Sequence, residues 1–192
     1  MTENLPAKSF RFVDGEGIVY TACLLIVLIL VRAWDAAQAV LAPEMFDAFV
    51  LYYTAPSKIT QLGPFLFALV VIGHYLSWMT NMLRQRHADE LPTPGTAILH
   101  HLLPPFLFYR PFAILKALMG DKANDTVLSL WWGGLWGGIA LYALRFALTL
   151  ENGAPASMIY WMVTLLMWLL FALSLACLAY ACHIVTKQWN TE

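Results

Sequence analysis

The stretch HHLLPPFLFYRPFAILKALMGDK, which runs from His100 to Lys122, decides the fold of this chain. It is apolar enough to enter a lipid bilayer, yet it contains three prolines, one arginine and two lysines. A spanning helix needs about 20 mostly apolar residues, whereas adjacent prolines remove amide hydrogens and disfavour helix at the residue before them. Whether this stretch crosses the membrane, rests on it or enters and returns therefore sets the topology of the whole chain.

The composition places the chain among integral membrane proteins. Of its 192 residues, 60% are hydrophobic and only 12% are charged, and the mean hydropathy is +0.66. Soluble domains carry about 25% charged residues. The net charge of −1, without a basic run, excludes nucleic acid as a partner. Three cysteines in apolar runs, none in a C-x-x-C pair, predict neither a disulfide framework nor a metal site: Cys23, Cys177 and Cys182.

Four segments are long and apolar enough to cross a membrane. The predicted spans cover residues 18–42, 62–83, 126–150 and 157–187. They form one transmembrane domain, 17–187, between an N-terminal tail, 1–16, and a C-terminal tail, 188–192. Four aromatic residues after the first span predict a short helix at the membrane interface: Phe46, Phe49, Tyr52 and Tyr53.

The distribution of lysine and arginine predicts which segments share a side. Cytoplasmic flanks collect these residues. With four spans, both termini and 97–123 on the cytoplasmic side, that side holds eight of the eleven: Lys8, Arg11, Arg84, Arg86, Arg110, Lys116, Lys122 and Lys187. A full crossing by 97–123 would separate Lys122 from Lys187 and would place Arg110 in the bilayer, at a cost of at least about 2.5–3.5 kcal/mol.

The prediction is therefore an all-α integral membrane protein. It has four transmembrane helices and both termini in the cytoplasm. Between the second and third spans, the proline-broken segment 97–123 is re-entrant or interfacial. Backbone groups freed by proline are tolerated at membrane depth only where protein or a wet cavity satisfies them, which favours a hairpin over a span.

Three groups of residues carry a resemblance to a known family. They are Trp78, Asn81 and Leu83 at the end of the second span, Pro104, Arg110 and Pro111, and the pair Trp131 and Trp132. From about Gly17 to His183 the chain resembles the bacterial membrane proteins grouped as domain of unknown function 4328. Many members carry asparagine where this chain has Leu107, and a glutamate where it has Ala117. The resemblance implies four spans and a place in the bacterial cytoplasmic (inner) membrane, and it brings no activity with it.

Four histidines are candidate cofactor ligands: His74, His100, His101 and His183. Intramembrane histidine can ligate haem. His74 lies about 15 Å from the cytoplasmic end of its span and His183 about 6 Å from Lys187, whereas two axial ligands need similar depth. His100 or His101 is expected at a depth closer to that of His183. We expect no cofactor, with these histidines bonded to neighbouring helices, headgroups or water, and keep haem b or a quinone as an alternative.

The third span carries two overlapping G-x-x-x-G steps, Gly133/Gly137 and Gly134/Gly138. Glycine at this spacing lets another helix approach closely in lipid. The other helix belongs either to the same bundle or to another protein, including a second copy of the chain. Three tryptophans of this span are expected to anchor it at the membrane interface: Trp131, Trp132 and Trp136.

Charged side chains near the spans are further candidates. Arg110, beside Tyr109 and followed by Lys116, is expected to hold a lipid phosphate or a partner carboxylate, or to anchor the segment at the headgroups. Arg32 and Asp35 are three residues apart and are expected to pair on one helix face.

The motif content favours a non-enzymatic protein. The sequence contains no G-x-S-x-G, H-E-x-x-H or phosphate-loop motif. We therefore predict an accessory, assembly or interaction subunit of a larger bacterial membrane complex, with lipid and other membrane subunits or itself as partners. The alternatives are a haem b or quinone-binding electron carrier and, less favoured, an oligomeric channel or transporter.

Overall fold

The computed structural model describes residues 15–42, 57–85, 91–103, 108–152 and 158–189, and these residues form helices without a strand. The helices are α1 (Gly15–Leu41), α2 (Ser57–Gln85), α3 (Pro94–Leu102), α4 (Arg110–Met119), α5 (Asp125–Asn152) and α6 (Met158–Trp189), with a 3₁₀ turn at Gly120–Lys122 after α4. The predicted interface helix after the first span lies outside the described residues.

Four of these helices are long and apolar enough to cross a membrane. The qualifying segments are Glu16–Leu41, Gly63–Arg84, Asp125–Leu148 and Met158–Gln188. The prediction of an all-α membrane protein with four spans is confirmed. The second helix begins at Ser57, five residues before the predicted span, and includes Pro64. Pro64 is the eighth residue of this helix, beyond its first turn, and it removes one backbone hydrogen bond of the helix interior.

The long helices have a simple neighbour order. The sixth helix packs against both α5 and α1, and α1 packs in turn against α2, which gives the order α5–α6–α1–α2. In the half of the bundle away from the hairpin, a small core joins Leu25 and Ile29 of α1, Val71 of α2 and Ala172 of α6. Arg32 and Asp35 form the expected ion pair, with 3.2 Å between guanidinium nitrogen and carboxylate oxygen.

The larger core lies at one end of the bundle. It contains Ile18 near the start of α1, Leu83 near the end of α2, Leu128 near the start of α5 and Val185 near the end of α6. Because these four residues share one cluster, α1 begins and α6 ends at the same end of the bundle. This is the arrangement that an even number of crossings produces.

The segment between α2 and α5 is a hairpin of two half-length helices. With nine and ten residues, α3 and α4 are each about 14 Å long, roughly half of a 30 Å hydrocarbon core. Thr93 caps α3 by accepting a hydrogen bond from the amide of Thr96. Pro111 lies in the first turn of α4, where its missing amide hydrogen costs nothing. Gly120 ends α4 with φ 56°, which glycine adopts without strain.

The hairpin lies between α2 and α5. The third helix packs on α2, and the fourth packs on α5 and α6. One face of α4 is buried in the larger core, at positions spaced three and four apart as one helix face requires: Pro111, Ile114, Leu115, Leu118 and Met119. The opposite side of the hairpin carries Lys116, whose ammonium group lies 2.7 Å from the Asp125 carboxylate. That ion pair marks the base of the hairpin.

The tip of the hairpin reaches far into the bundle. The Phe108 ring stacks on Trp136, with 4.6 Å between ring centroids. Trp136 is eleven residues beyond Asp125, the first residue of α5, and therefore about 16 Å from that helix end. On the other side, His101 contacts Tyr75, which is about 13 Å from Arg84 near the end of α2. The segment therefore folds back within the length of the four long helices, which favours a re-entrant hairpin over an interfacial one.

Candidate functional site

Tryptophans of α5 hold the tip of the hairpin. The Trp132 indole nitrogen donates a hydrogen bond of 2.6 Å to the carbonyl oxygen of Phe108. Trp136, one helical turn further along, stacks on the ring of Phe108, and the two indoles meet edge to face with centroids 5.9 Å apart. Residues four apart lie on the same helix face, so Trp132 and Trp136 form one row that carries the hairpin tip.

Trp131 faces the interior of the protein. Only 4% of its surface is exposed, and its ring centroid lies 6.4 Å from that of Tyr75. Its backbone carbonyl accepts a hydrogen bond of 2.8 Å from Ser174 of α6. Trp131, Trp132 and Trp136 lie about 9–16 Å along α5 from its start, and all three make packing contacts there. That they anchor the helix at the membrane interface stays a prediction.

A tyrosine–histidine contact holds the other side of the hairpin. The Tyr75 hydroxyl lies 3.3 Å from His101 Nε2, and His101 Nδ1 lies 2.8 Å from the carbonyl oxygen of Ala97. Because a carbonyl only accepts, Nδ1 carries the proton, and Nε2 accepts from the Tyr75 hydroxyl. The contact therefore orients α3 on α2.

The candidate haem ligands occupy different environments. Both ring nitrogens of His101 are engaged, so neither is available to iron in this arrangement. His183 is exposed on α6, whereas His74 and His100 are half-buried. The buried Nδ1 of His74 has no hydrogen-bond partner among the described residues. Within the same part of the chain, no three histidine, cysteine, aspartate or glutamate side chains gather into a metal site. Haem or quinone binding stays an untested prediction.

The four glycines of α5 divide into two groups. A Cβ atom at Gly134 would lie 3.0 Å from the Leu170 carbonyl oxygen, and one at Gly138 would lie 2.6 Å from the Phe171 ring. At Gly137 it would lie 3.0 Å from a methyl group of Leu170. These glycines therefore permit the close packing of α5 on α6. Around a Cβ at Gly133, by contrast, no atom of another described helix lies within 4 Å.

Gly133 belongs to an exposed face of α5 that we call the outer strip. The strip consists of Ser129, Gly133 and Ala140, all exposed. At about 100° per residue, the three positions lie within about 40° of one another around the helix axis. Trp132 and Trp136 lie about 100° and 60° from Gly133 by the same rule. The outer strip therefore adjoins the tryptophan row that holds the hairpin tip.

Arg110 lies at the deep end of the hairpin. It is the first residue of α4, its side chain is exposed, and its guanidinium carbon lies 5.0 Å from the centroid of the Tyr109 ring. The sequence offers Arg110, Tyr109 and Lys116 together as candidate lipid or partner contacts, and that role stays a prediction. The structure separates Arg110 from Lys116 along α4, because Lys116 pairs with Asp125 at the base while Arg110 follows Phe108 at the tip. A half-length helix that starts at the tip necessarily separates its first residue from its base.

Two residues of this site were missed by sequence reasoning. Tyr75 was overlooked because a tyrosine within an apolar span resembles any other large core residue. Phe108 was overlooked because aromatic residues are frequent throughout the chain. A hydroxyl group deep in a spanning helix is a usable signal for Tyr75, since such a group needs a polar partner when it is away from water.

Comparison of the chain with protein-family models, with curated proteins and with solved structures found no match. The resemblance to domain of unknown function 4328 therefore stays a prediction.

Proposed function

We propose that this protein is a small, non-enzymatic, polytopic protein of the bacterial cytoplasmic membrane that serves as an accessory, assembly or interaction subunit of a larger membrane complex. One observation carries the proposal, namely the open backbone at Gly133 within the outer strip. Small residues in lipid allow helix backbones to approach, and they are enriched where transmembrane helices associate.

The comparison between neighbouring glycines supports this proposal. Gly134 and Gly138 are accounted for by the packing of α6, because a side chain at either position would collide with it. Gly133 has no such role within the described bundle. Glycine inside a helix costs about 1 kcal/mol relative to alanine. Gly73 of α2 is open in the same way, so openness alone does not select a face. On α5 the open glycine coincides with the small exposed residues of the outer strip, on which a second helix can pack closely.

Charge supports a cytoplasmic location for the hairpin base and both termini. Arg84 near the end of α2, Lys116 and Lys122 around the base, and Lys187 near the end of α6 all lie towards the end of the bundle that contains the larger core. Lysine and arginine accumulate on the cytoplasmic side of membrane proteins. A partner helix on the outer strip would then share the inner leaflet with the hairpin.

Site-specific photo-crosslinking in native membranes tests the proposal. A photoreactive amino acid at Ala140, in the outer strip, should form discrete adducts with another chain. The same group at Leu166, an exposed residue of α6, is the matched lipid-facing control. Gly133→Leu should abolish the Ala140 adducts while the isolated protein remains as stable as wild type. Adducts at Ala140 no stronger than those at Leu166, or adducts that survive Gly133→Leu, would contradict the proposal.

A further inference from the structure

The positive charge of Arg110 lies between the two ends of the spanning helices, well away from the end at which α5 starts. Arg110 follows Phe108, whose carbonyl and ring contact Trp132 and Trp136, seven and eleven residues beyond Asp125. These contacts place the hairpin tip about 10–16 Å from the start of α5. A cation at this depth in hydrocarbon is costly unless it meets an anion or water. The location of Arg110 therefore calls for a counter-charge.

The lipid headgroups at the hairpin base are poorly placed to supply that charge. Side chains on a helix tilt towards its N-terminus, and the N-terminus of α4 is its deep end. The Arg110 side chain therefore starts away from the base, where Lys116 and Asp125 mark the near surface. Snorkelling, by which long cationic side chains reach headgroups, would require the opposite direction.

Among the described residues, no ion pair of Arg110 is found; the two ion pairs present join Asp35 to Arg32 and Asp125 to Lys116. Asp121 lies in the turn after α4, at the base of the hairpin and away from the tip. The Tyr109 side chain does not cap α4, so the positive end of the α4 dipole adds to the charge of the guanidinium. Among the described residues, the guanidinium group of Arg110 contacts the aromatic ring of Tyr109. The tip consequently presents an exposed positive charge.

We infer that Arg110 pairs with an aspartate or glutamate carboxylate on a transmembrane helix of the partner subunit, which packs on the outer strip of α5. This inference rests on the proposed function and specifies the chemistry of the partner. A helix that lies on Ser129, Gly133 and Ala140 runs beside the tryptophan row and thus beside the hairpin tip. A carboxylate at that level neutralises Arg110 and accepts the paired hydrogen bonds that a guanidinium donates.

Synthetic transmembrane peptides test the charge directly. The probes are alanine–leucine helices of about 20 residues with one glutamate about eight residues, or 12 Å, from one end, and versions with glutamine or lysine there. Binding to the full-length protein is measured by energy transfer in phosphatidylcholine vesicles. Wild type should bind the glutamate peptide about tenfold more tightly than the glutamine peptide.

Three variants test whether Arg110 causes this preference. Arg110→Gln should remove the preference for the glutamate peptide, and Arg110→Glu should transfer the preference to the lysine peptide. The control variant Lys122→Gln should retain the preference for glutamate. Equal binding of all three peptides by wild type would overturn the inference.

Two further measurements distinguish other anions. If the counter-charge lies within the chain, Arg110→Met will lower the stability of the isolated protein, and the inference fails. The inferred arrangement predicts that Arg110→Met is at least as stable as wild type, because it removes a charge that lacks its partner. If phosphatidylglycerol stabilises wild type but not Arg110→Met, and no peptide preference exists, the anion is a lipid phosphate and the inference fails. In either case, adducts at Ala140 that depend on Gly133 would leave the proposed function standing.

Discussion

The rings of Phe108 and Trp136 are stacked, with planes 19° apart and centroids separated by 4.6 Å. This contact joins the tip of the α3–α4 hairpin to α5 at a point about three turns beyond the first residue of that helix. The hairpin base is fixed separately by Lys116 and Asp125. With both ends attached to one spanning helix, α4 runs antiparallel to the first half of α5. The depth of the hairpin follows from these two contacts.

Removal of the indole donor at position 132 should loosen this attachment. Trp132→Phe keeps an aromatic ring but loses the hydrogen bond to the Phe108 carbonyl. A typical hydrogen bond contributes about 0.5–1.5 kcal/mol to stability, and we expect a loss of that size. Reversible unfolding in mixed detergent micelles measures it. Trp34→Phe, at an exposed tryptophan of α1, should change stability by less than about 0.5 kcal/mol. Equal losses in the two variants would show that the Trp132 bond does not stabilise the fold.

Adjacent glycines of α5 should respond in opposite ways to the same substitution. Gly134→Ala places a methyl group 3.0 Å from the backbone oxygen of Leu170 in α6. Because the close atom belongs to the backbone, a change of side-chain rotamer cannot relieve the contact. Overpacking of this kind costs about 1–3 kcal/mol. Gly133→Ala meets open space and should leave the isolated protein unchanged or up to about 1 kcal/mol more stable. The measurement is unfolding of the two purified variants side by side. A loss at Gly133 as large as that at Gly134 would be inconsistent with this packing.

The main architecture could be predicted from the sequence because it depends on long, unambiguous signals. Each span is a run of apolar residues longer than the membrane requires, and the hairpin is a run interrupted by Pro111 and by adjacent prolines. The distance of Arg110 from the hairpin base could not be predicted from the sequence. Prolines indicate that a helix breaks, but they do not say how far the break lies from the surface. That distance depends on contacts such as the one between Phe108 and Trp136.

A buried hydrogen bond between α2 and α6 gives a third prediction. The Trp78 indole donates to the Thr186 hydroxyl oxygen at 3.1 Å, and Trp78 is fully buried. Thr186→Val preserves the shape but leaves the indole donor unsatisfied, at a cost of about 1–3 kcal/mol. A double-mutant cycle with Trp78→Phe should give a coupling of about 0.6 kcal/mol, and at most about 1.7.

Thr164→Val is the matched control for this cycle. Thr164 is also buried, but its hydroxyl donates to the Tyr160 carbonyl of its own helix. It should therefore show no coupling to Trp78→Phe. If Thr186 and Thr164 behave alike in the cycle, the hydrogen bond between α2 and α6 contributes nothing to stability.

The rotation of each helix could not be predicted from the sequence. In α5, apolar side chains occur on every face, so periodicity does not tell whether Gly133 or Gly134 faces α6. One residue changes the direction by about 100°. The pairing of Tyr75 with His101 was also hidden, because it joins positions 26 residues apart in separate helices. Such contacts are determined by the packing of three helices together rather than by any local pattern.

The re-entrant hairpin is the central claim, and cysteine labelling tests it most directly. In a background with Cys23, Cys177 and Cys182 replaced by alanine, single cysteines are placed at Thr93 and Lys122, two exposed residues on either side of the hairpin. A membrane-impermeant maleimide is applied to vesicles of each orientation, with a C-terminal tag as the reference. We predict that both cysteines are labelled from the side that carries the tag. Labelling of Thr93→Cys and Lys122→Cys from opposite sides would mean that the segment crosses the membrane, and would contradict the account.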